Sequence, residues 1–231
     1  MMKYRSVWMQ EEAKKASNHK NEWNIITGNI IGKYEGYDLS DISPIIGGSQ
    51  HHLLFFSDNG KNIRVIDIDT LSRLDSLQND VLPSSENASA WFHALVPLST
   101  NQFFYISTHT NTFVEYNEQK REFVYEVLPP CTFLKSYSKF DCARLDDHIF
   151  VFGGYCGGTN ILPHIFIYDI HNKLWLQASF QLPSPLSSFS VVAFSVLHRL
   201  HFHVIGGEDS QSDAQNTHLL LTQVLHYYTF F

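Results

Sequence analysis

Cysteine is scarce: Cys131, Cys142 and Cys156 give an odd count with no CxxC spacing, which excludes a disulfide framework. No basic block stands in a chain whose formal net charge is −7, so a phosphate backbone is not its main partner. No run reaches about 18 consecutive apolar residues, the length that a membrane-crossing helix needs. An N-terminal stretch of charged and then apolar residues, the mark of a secretory signal, is also missing. These absences together predict a cytoplasmic protein with free thiols that uses neither nucleic acid nor membrane as a partner. Asn87-Ala88-Ser89 matches a glycosylation acceptor, which has no consequence without secretion.

Catalytic signatures are equally thin. There is no nucleophile elbow, no glycine-rich phosphate loop and no paired-carboxylate motif; Gly157-Gly158 leads into a strand rather than a helix, so phosphate-binding logic is absent. Asp146-Asp147 reads as a hairpin turn. Thirteen histidines invite a metal reading, and His198-Arg-Leu-His201-Phe-His203 is the densest group. On a strand His201 and His203 face the same way, but no carboxylate or cysteine stands at matching spacing, and the polar face of a hairpin strand accounts for them. His51 and His52 are adjacent and point apart. No catalytic residue, metal or cofactor is expected.

What the chain has is strand-forming material, with 44% apolar and 14% aromatic residues, including 18 Phe and 11 Tyr. The stretch from His148 to Trp175 is its clearest part. It runs His-Ile-Phe-Val-Phe into Gly153-Gly154, crosses a polar connection, resumes as Ile-Phe-Ile-Tyr168-Asp-Ile, and steps through Asn-Lys into Leu174-Trp175. Each apolar run has strand length, and each break is made by Gly, Pro, Asn or Asp. The pattern recurs. Aligned strand ends fall at Phe56, Ile106, Phe152 and Ile205, with spacings of 50, 46 and 53, and third-strand anchors at Ile66, Tyr116 and Tyr168 are 50 and 52 apart. Tyr116 to Phe123 repeats the seven-residue step from Tyr168 to Trp175, and Gly206-Gly207 repeats the double glycine.

A period near 50, a strand ending in Gly-Gly, and a Tyr and a Trp on the next two strands resemble a kelch repeat, the blade unit of a β-propeller. Gly153, Gly154, Tyr168 and Trp175 fill those places. The resemblance implies an all-β, kelch-like propeller of about four four-stranded blades, near 41–77, 92–127, 138–179 and 188–231. The first two units depart from it, with Ser57-Asp58 and Ser107-Thr108 where the glycines stand and connections about six residues shorter. Gly47-Gly48 falls before a second strand and reads as a hairpin turn.

Residues 1–36 form a polar leader outside the repeat, although 23–34 is aromatic and β-branched enough to supply a strand. The last unit shows no fourth strand, so the expectation is either a partial propeller or one closed by 23–34. An open blade edge would also permit self-association.

In a four-stranded meander, the connections between strands two and three emerge on the same face as the crossings between blades, and here these are the long ones. Long loops on a rigid scaffold are where recognition sits. The partner-binding set read from them is Tyr155, Asn160, Glu208, Asp209 and Asp213, an acidic rim with an aromatic beside it. The resemblance implies a non-catalytic protein-interaction module with a protein partner. The leader is too short and polar for a BTB or F-box domain. The alternative is a galactose-oxidase-like copper enzyme of the same superfamily, for which Tyr155-Cys156 is the nearest likeness to a Tyr–Cys cross-link, or another propeller enzyme.

Overall fold

The computed structural model describes residues 43–58, 61–83, 93–157, 160–197 and 199–224, and every regular element among them is a β-strand. The leader 1–36 and the expected closing strand at 23–34 lie outside the described residues. Blade one holds β1 (Ile45–Gly47), β2 (Leu53–Asp58), β3 (Asn62–Asp67) and β4 (Ser72–Arg73). Blade two holds β5 (Ala94–Pro97), β6 (Gln102–Ile106), β7 (Asn111–Asn117) and β8 (Glu122–Leu128). β9 (Asp141–Leu145), β10 (His148–Phe152), β11 (Ile165–Asp169) and β12 (Leu174–Gln177) make blade three, and β13 (Ser190–Val196), β14 (Arg199–Ile205) and β15 (His218–Val224) make blade four. Within each sheet the strands pair antiparallel in chain order. This is a four-bladed β-propeller arrangement, with three strands in the last blade among the described residues.

Turn chemistry sets the hairpins. Leu145 pairs with His148 across Asp146-Asp147, and Asp146 takes the positive φ of 52° that a two-residue turn demands. Asp169 accepts from the Asn172 backbone N–H at 2.8 Å, folding the step between β11 and β12. Gly47-Gly48 turns β1 into β2 as expected, with Gly48 at φ 83°.

Side-chain alternation then joins the blades. Phe55, Ile63 and Val65 of blade one meet Phe103, Tyr105, Tyr116 and Phe123 of blade two. Phe104 and Ile106 meet Ile149, Val151, Phe166 and Tyr168, and Phe150, Phe152 and Ile167 meet Leu200, Phe202 and Val204. Each shared core lies between consecutive sheets, so burying one blade's face requires its neighbour. The repeat anchors do this wedging: Tyr116 meets Phe55 edge-on at 5.2 Å, and Tyr168 stacks on Phe104 at 4.6 Å. The seven-residue step places each anchor opposite its partner on the next strand, Tyr116 with Phe123 and Tyr168 with Trp175.

Two details differ from the sequence expectation. In blade one, Phe55 rather than Phe56 faces the next blade as Ile106 and Phe152 do. A strand has period two, so the one-residue offset in aligning Phe56 turns the side chain to the other face. The fourth strand of blade one, a blade expected to run to about residue 77, is only Ser72–Arg73. Beyond it the chain passes to blade two, where Gln78 donates to Arg121 O and accepts from Phe123 N, and then returns so that Ile63 N–H reaches Asp80 O at 2.7 Å. Positive φ at Ser76 and Asn79 makes those bends.

Blade four presents one face to blade three and leaves the other exposed among the described residues. Val192, Phe194, Ile205 and Leu220 lie on that second face, each at least 40% exposed. His201 and His203 do point the same way, both stacked on Phe194, and His203 Nδ1 lies 2.5 Å from His218 Nε2.

A carboxylate fastens β9 to β13. Asp141 accepts from Val191 N–H at 2.7 Å and from Cys142 N–H at 2.8 Å. Burial nonetheless raises its pKa above the ordinary carboxylate value, with the two N–H bonds offsetting part of that rise. A folded-state pKa above the unfolded one means the native state holds the extra proton. The stability contribution is therefore full below the unfolded value of 3.8 and is lost as pH rises through the folded value. Because Asp67, Glu118 and Asp169 have lowered values and act in the opposite sense, the test is the difference: the unfolding free energy of the wild type minus that of Asp141→Asn should fall as pH rises from 3. Parallel profiles for the two proteins would exclude the assignment.

Candidate functional site

The long connections emerge on one face, and the chain shapes them by the same device in blades three and four. After β10, Gly153 N–H bonds His164 O at 2.8 Å; after β14, Gly206 N–H bonds Thr217 O at 2.9 Å. Both loops are thereby closed at their base. The second glycine of each pair lies against the crossing that leads into its own blade. A Cβ on Gly154 would stand 2.7 Å from Ser138 O, and one on Gly207 would stand 2.9 Å from Ser187 O. Positive φ of 107° and 106° at these two positions completes the requirement for glycine.

The residue after each glycine pair is then laid down in the same way. Tyr155 bridges to Ser138 and to Ile161, and Glu208 bridges to Ser187 and to Ala214. Tyr155 and Glu208 are thus structural counterparts, as their places directly after the aligned glycine pairs, in connections of equal length over 153–164 and 206–217, imply. In blade two, Ser107 takes over with a tight turn. Its hydroxyl donates to Thr110 O at 3.0 Å and accepts from Thr110 N–H at 3.0 Å, so no long loop forms there.

The five residues expected to form the rim fall on this face, and they divide by what their atoms already do. Glu208 pairs with Lys139 of the neighbouring crossing at 3.3 Å. Asp209 organises its own loop, accepting from Gln211 N–H at 2.9 Å, Asp213 N–H at 3.0 Å and Gln215 Nε2 at 2.8 Å. Asn160 contributes its backbone, its carbonyl accepting from Cys156 N–H at 2.7 Å. Asp213 is exposed. Tyr155, half-buried, is joined to Ser138, and Lys139 follows directly, so the loops of blades three and four adjoin through residues 138–139.

An aromatic that the sequence reading passed over lies on the same face. Phe133, in the crossing from blade two to blade three, is 41% exposed and stacks on Phe166 of β11 at 5.2 Å with an 8° interplanar angle. Beneath it Tyr137 OH and His164 Nδ1 are 3.1 Å apart, and burial pushes the Tyr137 phenol up to about 12. The only sequence signal was a lone Phe just past Pro129-Pro130, in a crossing otherwise read as connection. Aromatic residues, Phe included, are enriched at protein interfaces relative to the rest of the surface.

Tyr155 and Cys156 remain sequence neighbours within this loop, with Cys156 N–H given to Asn160 O. Among the described residues no group of three or more His, Cys, Asp and Glu side chains converges as metal ligands, and no helix is long and apolar enough to cross a membrane. Cys131, Cys142 and Cys156 are free thiols, and burial raises the first two.

Comparison with known families finds the Kelch motif at residues 138–179, the span of blade three with its Gly153-Gly154, Tyr168 and Trp175. No curated protein sequence matches the chain.

Proposed function

We propose that this kelch-repeat propeller is a non-catalytic protein-interaction module that holds its partner on the face formed by 129–140, 153–157, 160–164, 178–189 and 206–217. The observation carrying the reading is the placement of Phe133, exposed and stacked on a rigid strand, on the face where the long loops of blades three and four adjoin. A stacked ring loses little freedom on contact, so its exposed area is available for binding. Asp213 adds an exposed acid to the rim, which favours a basic partner segment. That attraction should weaken with salt, because exposed charges are screened over about 8–10 Å at physiological ionic strength. Unpaired thiols suit a reducing, cytoplasmic setting.

The test begins with affinity purification of the intact chain and identification of what co-purifies, followed by binding measurements on variants. Phe133→Ala and Asp213→Lys should each reduce capture; the melting temperature should shift little for the exposed Asp213 and modestly for Phe133, whose ring also stacks on Phe166. Reversal at Glu208 or Asp209 is a poorer probe, because it also breaks the pair with Lys139 or the loop's own hydrogen bonds. If capture ignores the loop variants and is lost on changes along β15, recognition works by strand addition to the blade edge, which also serves self-association. Stoichiometric copper after metal loading, with oxidase activity lost on changing Tyr155 or Cys156, would establish the enzyme alternative.

A further inference from the structure

On the face opposite the long loops, where the first strand of each blade ends, a recess of about 480 Å³ opens between blades two and three. Its lining comes from Leu95, Val96 and Pro97 of β5, from Cys142, Arg144 and Leu145 of β9, and from Asp146. Polar and apolar groups share the walls, and Arg144 is the cation among them. Its Nε donates to Asp146 O at 2.8 Å, and Nη1 donates to Leu98 O and, at 3.5 Å, to Pro97 O. These acceptors are neutral carbonyls. None of the ion pairs among the described residues includes Arg144, and Nη2 takes part in none of its hydrogen bonds.

The half-buried guanidinium is held by neutral acceptors beside apolar surface. Its remaining N–H groups favour a carboxylate, the planar anion that arginine's fork matches. The acids nearby narrow the choice further. Asp146 and Asp147 are exposed at the turn, so a multiply charged anion such as phosphate meets repulsion there, whereas a single carboxylate bound to Arg144 meets less.

We propose that this recess binds one carboxylate carried on an apolar group, with Arg144 holding the carboxylate and Pro97 and Cys142 the apolar group. A free carboxylic acid and the C-terminal residue of a polypeptide share that chemistry. The site is separate from the loop face, so neither reading depends on the other.

The experiment is calorimetric titration of the full chain with N-acetyl-leucine and with a hexapeptide ending in leucine, each beside its carboxamide. An acid should bind at least about tenfold more tightly than its amide. Binding by the peptide acid alone identifies a chain terminus as the source; binding by both acids identifies a small carboxylic acid as sufficient. Arg144→Gln, which keeps an N–H donor for the carbonyls but removes the charge, should weaken binding by about tenfold or more. Because that change also touches the seam between blades, Pro97→Trp serves as a second variant. It crowds the mouth from an exposed position and breaks none of the Arg144 bonds to carbonyl oxygens, and an unchanged melting curve would verify its fold. Absence of binding by either acid at millimolar concentration overturns the proposal, as do equal affinities for acid and amide, or acid binding that survives both variants.

Discussion

Replacement of Tyr168 by alanine should cost about 3–5 kcal/mol, the range for removing a large aromatic from a packed interior. The ring is 2% exposed and touches two neighbours at once, Phe104 of the preceding blade at 4.6 Å and Trp175 of its own at 5.0 Å. Its removal therefore opens a cavity between blades rather than within one, where collapse would require two sheets to move together. The hydroxyl contributes in the opposite sense. It is buried without a hydrogen-bond partner, and burial pushes the phenol up to about 12. Tyr168→Phe should accordingly leave stability unchanged or raise it by about 1 kcal/mol, since an unsatisfied buried polar group is a cost. Chemical denaturation of the three proteins checks both halves. A loss greater than about 1 kcal/mol in the phenylalanine variant would show the hydroxyl to be bonded.

Gly154→Val carries the second large effect. The position combines φ 107° with a backbone oxygen, Ser138 O, that would stand 2.7 Å from the new Cβ. Backbone strain costs about 1–3 kcal/mol, and the steric conflict adds about 1–3 kcal/mol because the obstacle is main chain and moves only with the crossing. Gly157→Ala separates the two contributions: φ is 66° there, but nothing lies within 4 Å, so only strain remains. Ser107→Val, at the blade-two position aligned with the glycine pair, is not a harmless control. The serine is 3% exposed and its hydroxyl holds the β6–β7 turn through Thr110, so losing it should cost about 1–3 kcal/mol for the groups left unsatisfied. Melting data that rank Gly154→Val level with Gly157→Ala would falsify the close approach to Ser138.

Blade three was legible almost completely. Gly153, Gly154, Tyr168 and Trp175 each stand where the repeat places them, because each answers a local demand: a positive φ, a strand end, or a ring opposite its cross-strand partner. Blade one was less so. Phe55 and Phe56 are both aromatic and both buried, and apolar patterning does not distinguish which of two adjacent rings faces the second blade. The early end of β4 was hidden for a related reason, since Gln78 leaves its own sheet to bond Arg121 and Phe123 of the next.

The candidate face divided along the same line. That the loops after Gly154 and Gly207 share a face follows from strand count alone. The work done by each acid does not: Glu208 is occupied by Lys139, 69 residues earlier, at 3.3 Å. Asp209 is occupied by neighbours in its own turn. The acidic rim read as three equal charges is in fact one ion pair, one turn-former and one exposed acid.

By itself the sequence determined most of the strands and turns and the period near 50, because alternation with period two and the chemistry of Gly, Asp and Asn act within a few residues. Only the tertiary structure decided which ring of a pair enters an inter-blade core, that Phe133 stands exposed on a strand of the following blade, and that Arg144 faces a recess bounded by β5. Each of these depends on a partner roughly one blade away in the chain, and the position of such a partner is fixed by how sheets stack, not by the residues beside it.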